Sequence, residues 1–162
     1  MNRLLRTLGV GLTAALFACS SEPACTDCAT VEGSYGVTFD NGVLGKNGDC
    51  SQFATLAEGG LDLSRIGSKL TGDYLGVALS GTLSQNLNLT LTGTRLQNGA
   101  STDGGVGDSD TLTFQLRYVA PSGTPAGPTR LTGSVTKTSS RPNSSGASAA
   151  CSQTGSVTAT RP

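Results

Sequence analysis

Segments in which every second residue is apolar or glycine recur along most of this chain. A period of two restricts such segments to strands with one face on a core and the other in solvent. Val31, Gly33, Tyr35, Val37 and Phe39 share one face, as do Val77, Leu79, Gly81 and Leu83, and Leu87, Leu89, Leu91 and Gly93. Leu112, Phe114, Leu116 and Tyr118 repeat the pattern, followed by Leu131, Gly133 and Val135, and by Gly155, Val157 and Ala159. Thr and Ser fill many alternate positions, which suits a solvated sheet face. Two further strands at Leu61–Ile66 and Lys69–Leu75 bring the expected number to about eight. Helical spacing occurs once, at Phe53, Leu56 and Ala57 within Gln52–Glu58, over barely two turns.

Ile66-Gly67-Ser68 and Ser84-Gln85-Asn86 carry turn chemistry, and longer connections are expected at Gln97–Ser109, Ala120–Pro128 and Ser139–Ala150. A phrase of Leu, then Thr or Ser, then Gly recurs at Leu70, Leu79, Leu91 and Leu131, with Thr154-Gly155 as a degenerate copy. Its irregular spacing excludes a solenoid. Glycine on an inward face lets a strand coil sharply, as sheet closure demands. The expected fold is therefore all-β, an antiparallel meander of about eight strands closed into a small barrel, with a β-sandwich as the alternative.

The first eighteen residues have the three parts of an export signal. Arg3 and Arg6 precede an uncharged apolar run from Thr7 to Phe17, too short to span a bilayer as a helix. Leu16-Phe17-Ala18-Cys19 resembles the lipobox of bacterial lipoproteins. That resemblance implies a diacylglyceryl thioether on Cys19, cleavage before it, and acylation of the new amino terminus. Two or three acyl chains hold a protein on a membrane effectively permanently. Ser20, where the family's inner-membrane proteins carry Asp, implies sorting to the outer membrane. The alternative is an ordinary signal peptide cut after Ala18, with Cys19 left as a disulfide partner.

The expected organisation is a signal peptide over 1–18, a lipidated tether over 19–30, small and polar with Pro23, and an all-β domain over 31–162. With Cys19 lipidated, Cys25, Cys28, Cys50 and Cys151 remain, an even number in an exported chain, which reads as two disulfides with three pairings open. Cys50 with Cys151 and Cys25 with Cys28 are favoured. The Cys25-Thr26-Asp27-Cys28 spacing also matches a redox pair or half a zinc site. A redox motif needs a strand-and-helix setting, and zinc needs further ligands from a chain without histidine.

Eleven Lys plus Arg, less Arg3 and Arg6, against eleven Asp plus Glu leave the mature chain with a balance of minus two. Nucleic acid, which requires clustered positive charge, is not an expected partner. The absence of histidine removes the commonest general base and transition-metal ligand, so no cofactor and no metal are expected, and the chain does not read as an enzyme. Ser134-Val135-Thr136-Lys137 has the spacing of serine and lysine acyltransferases, but three residues apart on a strand means opposite faces. Asp40-Asn41-Gly42 and Asp108-Ser109-Asp110 read as solvated turn acids without a calcium-binding ligand series. Gly42-Val43-Leu44-Gly45-Lys46-Asn47 fails the phosphate-loop pattern. Arg65, Arg95, Arg117 and Arg130 are expected on outward strand positions.

The strand phrases Gly81-Thr82-Leu83, Leu91-Thr92-Gly93-Thr94, Leu131-Thr132-Gly133-Ser134-Val135 and Gly155-Ser156-Val157-Thr158-Ala159-Thr160-Arg161 resemble small bacterial lipoproteins with lipocalin-like or avidin-like eight-stranded meanders. The resemblance covers most of 31–161 and implies the architecture. It brings no biotin site, since avidins use tryptophans there and this chain has none. Tyr35, Phe39, Phe114 and Tyr118 are the candidate barrel-lining aromatics. The expected function is that of a monomeric, membrane-anchored envelope lipoprotein binding a small apolar ligand or a protein partner. A structural envelope protein without soluble ligand is the alternative, as is a secreted-protease inhibitor acting through its amino-terminal segment. Interior volume decides between carriage, which needs a hollow barrel, and a surface or structural role, which a filled one favours.

Overall fold

The computed structural model describes residues 23–25, 28–40, 42–44, 50–96, 108–122, 128–142 and 148–161. The signal segment, Cys19, and the Gly45-Lys46-Asn47 stretch lie outside the described residues.

Ten strands follow in order: β1 (Gly33–Phe39), β2 (Val43–Leu44), β3 (Leu56–Ala57), β4 (Gly59–Ile66), β5 (Lys69–Tyr74), β6 (Val77–Leu83), β7 (Asn88–Leu96), β8 (Ser109–Val119), β9 (Thr129–Pro142) and β10 (Ser148–Arg161). Strands β4 to β10 form an antiparallel meander, and β1 closes it between β10 and β4, giving an eight-stranded barrel with no open edge. A sandwich is thereby excluded. Strands β2 and β3 pair only with each other, Val43 with Ala57 and Leu44 with Leu56, in the excursion that links β1 to β4.

Alternation directs the packing. Leu61, Leu63, Leu70, Tyr74, Val77, Leu79, Leu83, Leu89, Leu91, Leu112, Phe114, Leu116, Leu131, Val135, Val157 and Ala159 form one buried cluster with Val31, Tyr35, Val37 and Phe39. Outward positions are hydroxyl-rich and fall in register: Ser64, Thr71, Ser80, Thr92, Thr113, Thr136 and Thr154 make one row across seven strands. Neighbouring hydroxyls bond to one another, as in Thr136 with Thr154 at 2.8 Å and Thr94 with Thr111 at 2.9 Å. The β-branched Thr side chain suits the pleated surface, and its hydroxyl keeps that surface wet.

The barrel has two rims. At the lower rim β1, β5, β7 and β9 begin and β4, β6, β8 and β10 end; the upper rim is the reverse. At the upper rim β5 turns into β6 through Leu75 (φ 52°) and Gly76 (φ 79°), with the Gly76 amide donating to Asp73 Oδ1 at 3.0 Å. Two positive φ values in a two-residue connection define the hairpin turn that matches strand twist.

Several expectations are corrected. The helical spacing at 52–58 is instead a turn at 50–53 followed by β3, although Phe53 and Leu56 are buried. Strand pairing enters both ends of the stretch expected to be a loop at Ser139–Ala150, because β9 and β10 remain in register out to Pro142 and Ser148. Leu87 sits in a turn at φ 61° rather than in a strand. Within 23–30 the Gln85 amide donates to the Pro23 carbonyl at 3.0 Å, the Cys25 amide to Leu83 at 2.9 Å, and Cys25 is buried, while Pro23, Ala24, Ala29 and Thr30 are exposed. Two apolar side chains account for this docking, since Cys25 and Val31 close the open mouth of the barrel.

Candidate functional site

The barrel interior is the first place to look for a site, and it is solid. Tyr35 and Phe114 are fully buried, Phe39 is buried, and Tyr118 packs half-buried against the same cluster. Tyr74 and Phe114 meet edge to face with ring centroids 5.2 Å apart. Leu61, Tyr74, Leu91, Phe114, Leu131 and Val135 retain 0 % of their accessible surface. A side chain lining a void wide enough for water would keep some, so the middle of the barrel is closed to ligands.

Burial and its partners set the chemistry of the two deep phenols. The Tyr74 hydroxyl donates to the Ala57 carbonyl at 2.6 Å, and burial, helped by the Glu58 charge, pushes its pKa up to about 12. The Tyr35 hydroxyl donates to the Val31 carbonyl at 2.9 Å, and burial raises its pKa as well, against the opposing pull of Arg161. Both phenols are bolts between the wall and the segments that seal it.

Polar side chains enter the interior toward the upper rim. Asp110, Lys137 and Ser139 are 2 %, 4 % and 1 % exposed. The Lys137 ammonium donates to Asp110 Oδ1 at 2.7 Å and to Ser139 Oγ, and the Ser139 hydroxyl donates to Asp110 Oδ1 at 2.5 Å. Arg95 approaches the other carboxylate oxygen at 3.5 Å. Such a cluster holds charge in place: two cations share one carboxylate, and the serine oxygen is occupied on both sides. Asp110 is thus not a turn acid but an inward residue of β8, and Arg95 is inward too. Ser134 and Lys137 face opposite sides of β9, so the Ser-x-x-Lys spacing brings no dyad together.

The excursion between β1 and β4 covers this end. Leu44 and Leu56 join the barrel core, the Phe39 amide donates to Glu58 Oε1 at 2.9 Å, and Cys50 is joined to Cys151 of β10, the pairing the sequence favoured. Phe53 packs with that disulfide beneath the Arg141 guanidinium, 5.3 Å from its ring centroid. Arg141 also grips Asp108, and this hydrogen bond holds the Asp108 carboxyl below its usual range.

The amino-terminal segment seals the lower end. Cys25 is joined to Cys28, and Val31 is fully buried. Arg65, expected outward, faces in and donates to Glu32 at 2.8 Å, which holds the Glu32 carboxyl below its usual range. Arg161 donates to the Glu32 carbonyl and to Thr129 Oγ1, with its guanidinium 5.7 Å from the Tyr35 ring centroid. Arg117 and Arg130 are exposed, as expected. On the outer wall Asn88, Thr90, Gln115, Arg117 and Thr132 border an open depression of about 370 Å³ over the backbone of Gly133.

Among the described residues no group of three or more acids or cysteines is placed to hold a metal ion. The polar cluster and the inward arginines escaped the sequence reading because the apolar alternation stops short of the strand ends. Counting by two past Leu112, Leu91, Leu63 and Val135 reaches Asp110, Arg95, Arg65 and Lys137, and that phase was the available signal. Comparison of the chain with protein-family models, curated proteins and solved structures returns no match.

Proposed function

We propose that this chain is an exported envelope lipoprotein, acylated on Cys19 and sorted to the outer membrane, whose barrel works from its outside. The filled interior carries this reading: with Tyr74, Phe114, Leu61 and Leu131 wholly buried, no lumen is left for an apolar ligand. Both ends are also sealed, one by Cys25 and Val31 and the other by the disulfide-fastened excursion. A rigid, plugged barrel near a membrane offers loops and a hydroxyl-rich wall to a partner, or a structural element to the envelope. Inhibition of a protease by a free amino-terminal segment has less support, because that segment is bound to the barrel from Pro23 onward.

Metabolic labelling with a palmitate analogue tests the anchor: the wild type is labelled and Cys19→Ser is not. An exported but unlabelled wild type replaces this reading with an ordinary signal peptide. Solvent extraction of the natively purified protein tests the interior. Stoichiometric release of a non-covalent lipid would overturn the solid-barrel reading.

A further inference from the structure

The charges of this barrel are sorted by rim. Arg65, Lys69, Arg117, Arg130 and Arg161 all lie within two residues of the lower-rim end of their strands, and the one acid described there, Glu32, is held by Arg65. Lys69, Arg117 and Arg130 are exposed and pair with no acid among the described residues. The connection 120–128 adds no charge, and the amino-terminal segment adds Glu22 and Asp27. The upper rim carries Asp40, Glu58, Asp73 and Asp108, with Asp62 midway along β4, and among the described residues the cations toward that rim, Arg95, Lys137 and Arg141, are bound to Asp110 or Asp108. The β4–β5 hairpin tip on the basic rim presents Ile66, 87 % exposed.

The described chain begins at that same rim. Pro23 is fixed to Gln85, and Ala24 bridges Ser84, both in the β6–β7 turn. Three residues lie between Cys19 and Pro23, and the four steps reach at most roughly 14 Å when fully extended. A lipid on Cys19 therefore keeps the basic rim, not the acidic one, within roughly 14 Å of the membrane surface.

We infer that the lower rim is a membrane-docking surface that seats on the anionic phospholipid headgroups of the leaflet holding the anchor. Lys69, Arg117 and Arg130 meet headgroup phosphates, Ile66 enters the interface, and the acidic upper rim faces away. Charge complementarity and the short chain to the anchor name this occupant, and the second of these rests on the lipoprotein reading above. Docked in this way the barrel stands at a fixed orientation, with its upper rim as the face left for partners.

The test uses the mature chain carrying Cys19→Ser, so that binding to lipid is read without an acyl chain and independently of whether Cys19 is modified. In co-sedimentation it should prefer vesicles of phosphatidylcholine with phosphatidylglycerol over phosphatidylcholine alone, and salt should abolish the preference. Arg130→Gln should weaken partitioning roughly fivefold, the value of one cation at an anionic surface. Arg141→Gln removes the same charge from the upper rim and should leave it unchanged. Because the chain contains no tryptophan, Ile66→Trp is a clean depth reporter: its emission should shift to the blue on the anionic vesicles, and that of Leu96→Trp on the upper rim should not. Equal sedimentation with both vesicles, or equal losses from Arg130→Gln and Arg141→Gln, overturns the docking surface while leaving the labelling result intact. A failure of labelling with the vesicle preference preserved removes the anchor instead.

Discussion

A Cβ added to Gly81 would lie 1.7 Å from the carbonyl oxygen of Thr90 on the neighbouring strand. Gly93 and Gly133 are in the same position, 2.1 Å from the Ala78 carbonyl and 2.0 Å from that of Gln115. The obstacle is backbone that cannot rotate away, so these three sites are where strong coiling brings adjacent strands too close for any side chain. Overpacking usually costs about 1 to 3 kcal/mol, and a backbone collision belongs at or above the top of that range. Gly81→Val, Gly93→Val and Gly133→Val should each lower the denaturant midpoint far more than Thr92→Val or Thr132→Val, their outward neighbours. Equal midpoints in the two sets would show that the strands are not coiled as described.

The glycines also show how much of this fold is legible in the sequence. Their inward phase follows from counting by two from Leu79, Leu91 and Leu131, and with it the number of strands and the closed sheet. What they collide with does not follow, because the partner is backbone on another strand rather than side chains in the core. Leu75 and Leu87 take positive φ values that a sequence rule assigns to Gly or Asn, so those turns are held by the flanking ladder rather than by their own residues. The docking of Pro23 and Cys25 was hidden for a related reason: a short polar segment has no periodicity, and what fixes it is the mouth it happens to cover. The filled interior was undecidable from composition, since glycines and aromatics on one face describe a hollow barrel as well as a packed one.

Breaking the buried pair at the upper end should be expensive. Removing one partner of a buried ion pair typically costs about 3 to 5 kcal/mol, because the other charge is left without compensation. Lys137→Met takes the nearer cation from Asp110, leaving the Ser139 hydroxyl and the more distant Arg95 among its partners, and should show this loss in urea unfolding. The double variant Asp110→Leu and Lys137→Met should recover most of it. If the single variant is as stable as the wild type, the Asp110 carboxylate is not buried against Lys137.

Alkaline pH should loosen the barrel. Tyr74 has a folded pKa of about 12 and Tyr35 is shifted in the same direction. A phenol whose pKa is raised by folding contributes stability that is complete below its unfolded value near 10 and is lost as pH rises through the folded value. Tyr35 and Tyr74 should therefore ionise only as the near-ultraviolet circular dichroism collapses, read by phenolate absorbance. Tyr74→Phe should move that collapse to higher pH. Ionisation of Tyr35 and Tyr74 near 10 in a folded protein would refute the sealed interior.

Acid pH should loosen the lower end. The Arg65 hydrogen bond depresses the Glu32 pKa, so its contribution is present above the unfolded value near 4.5 and fades as pH falls through the folded one. Amide exchange in the 28–36 segment should accelerate there before the strands of β8 and β9 respond, and Glu32→Gln should flatten this dependence. Uniform acceleration across the barrel would mean that the segment is not an independently held plug.

The two disulfides should differ in weight. In the chain-entropy account, closing a loop of about a hundred residues contributes about 4.7 kcal/mol, whereas one spanning a few residues contributes about 2 kcal/mol. Cys50 and Cys151 are 101 positions apart and Cys25 and Cys28 only 3. The longer bridge also fastens Phe53 and the excursion to β10, so its loss frees that excursion as well as enlarging the unfolded ensemble. Cys50→Ser with Cys151→Ser should therefore lower stability by several kcal/mol and open the 50–57 excursion to proteolysis, while Cys25→Ser with Cys28→Ser costs less and leaves that excursion protected. Non-reducing peptide mapping fixes the connectivity first. If the larger stability loss falls on Cys25 and Cys28, the amino-terminal plug, not the excursion, is what keeps this barrel closed.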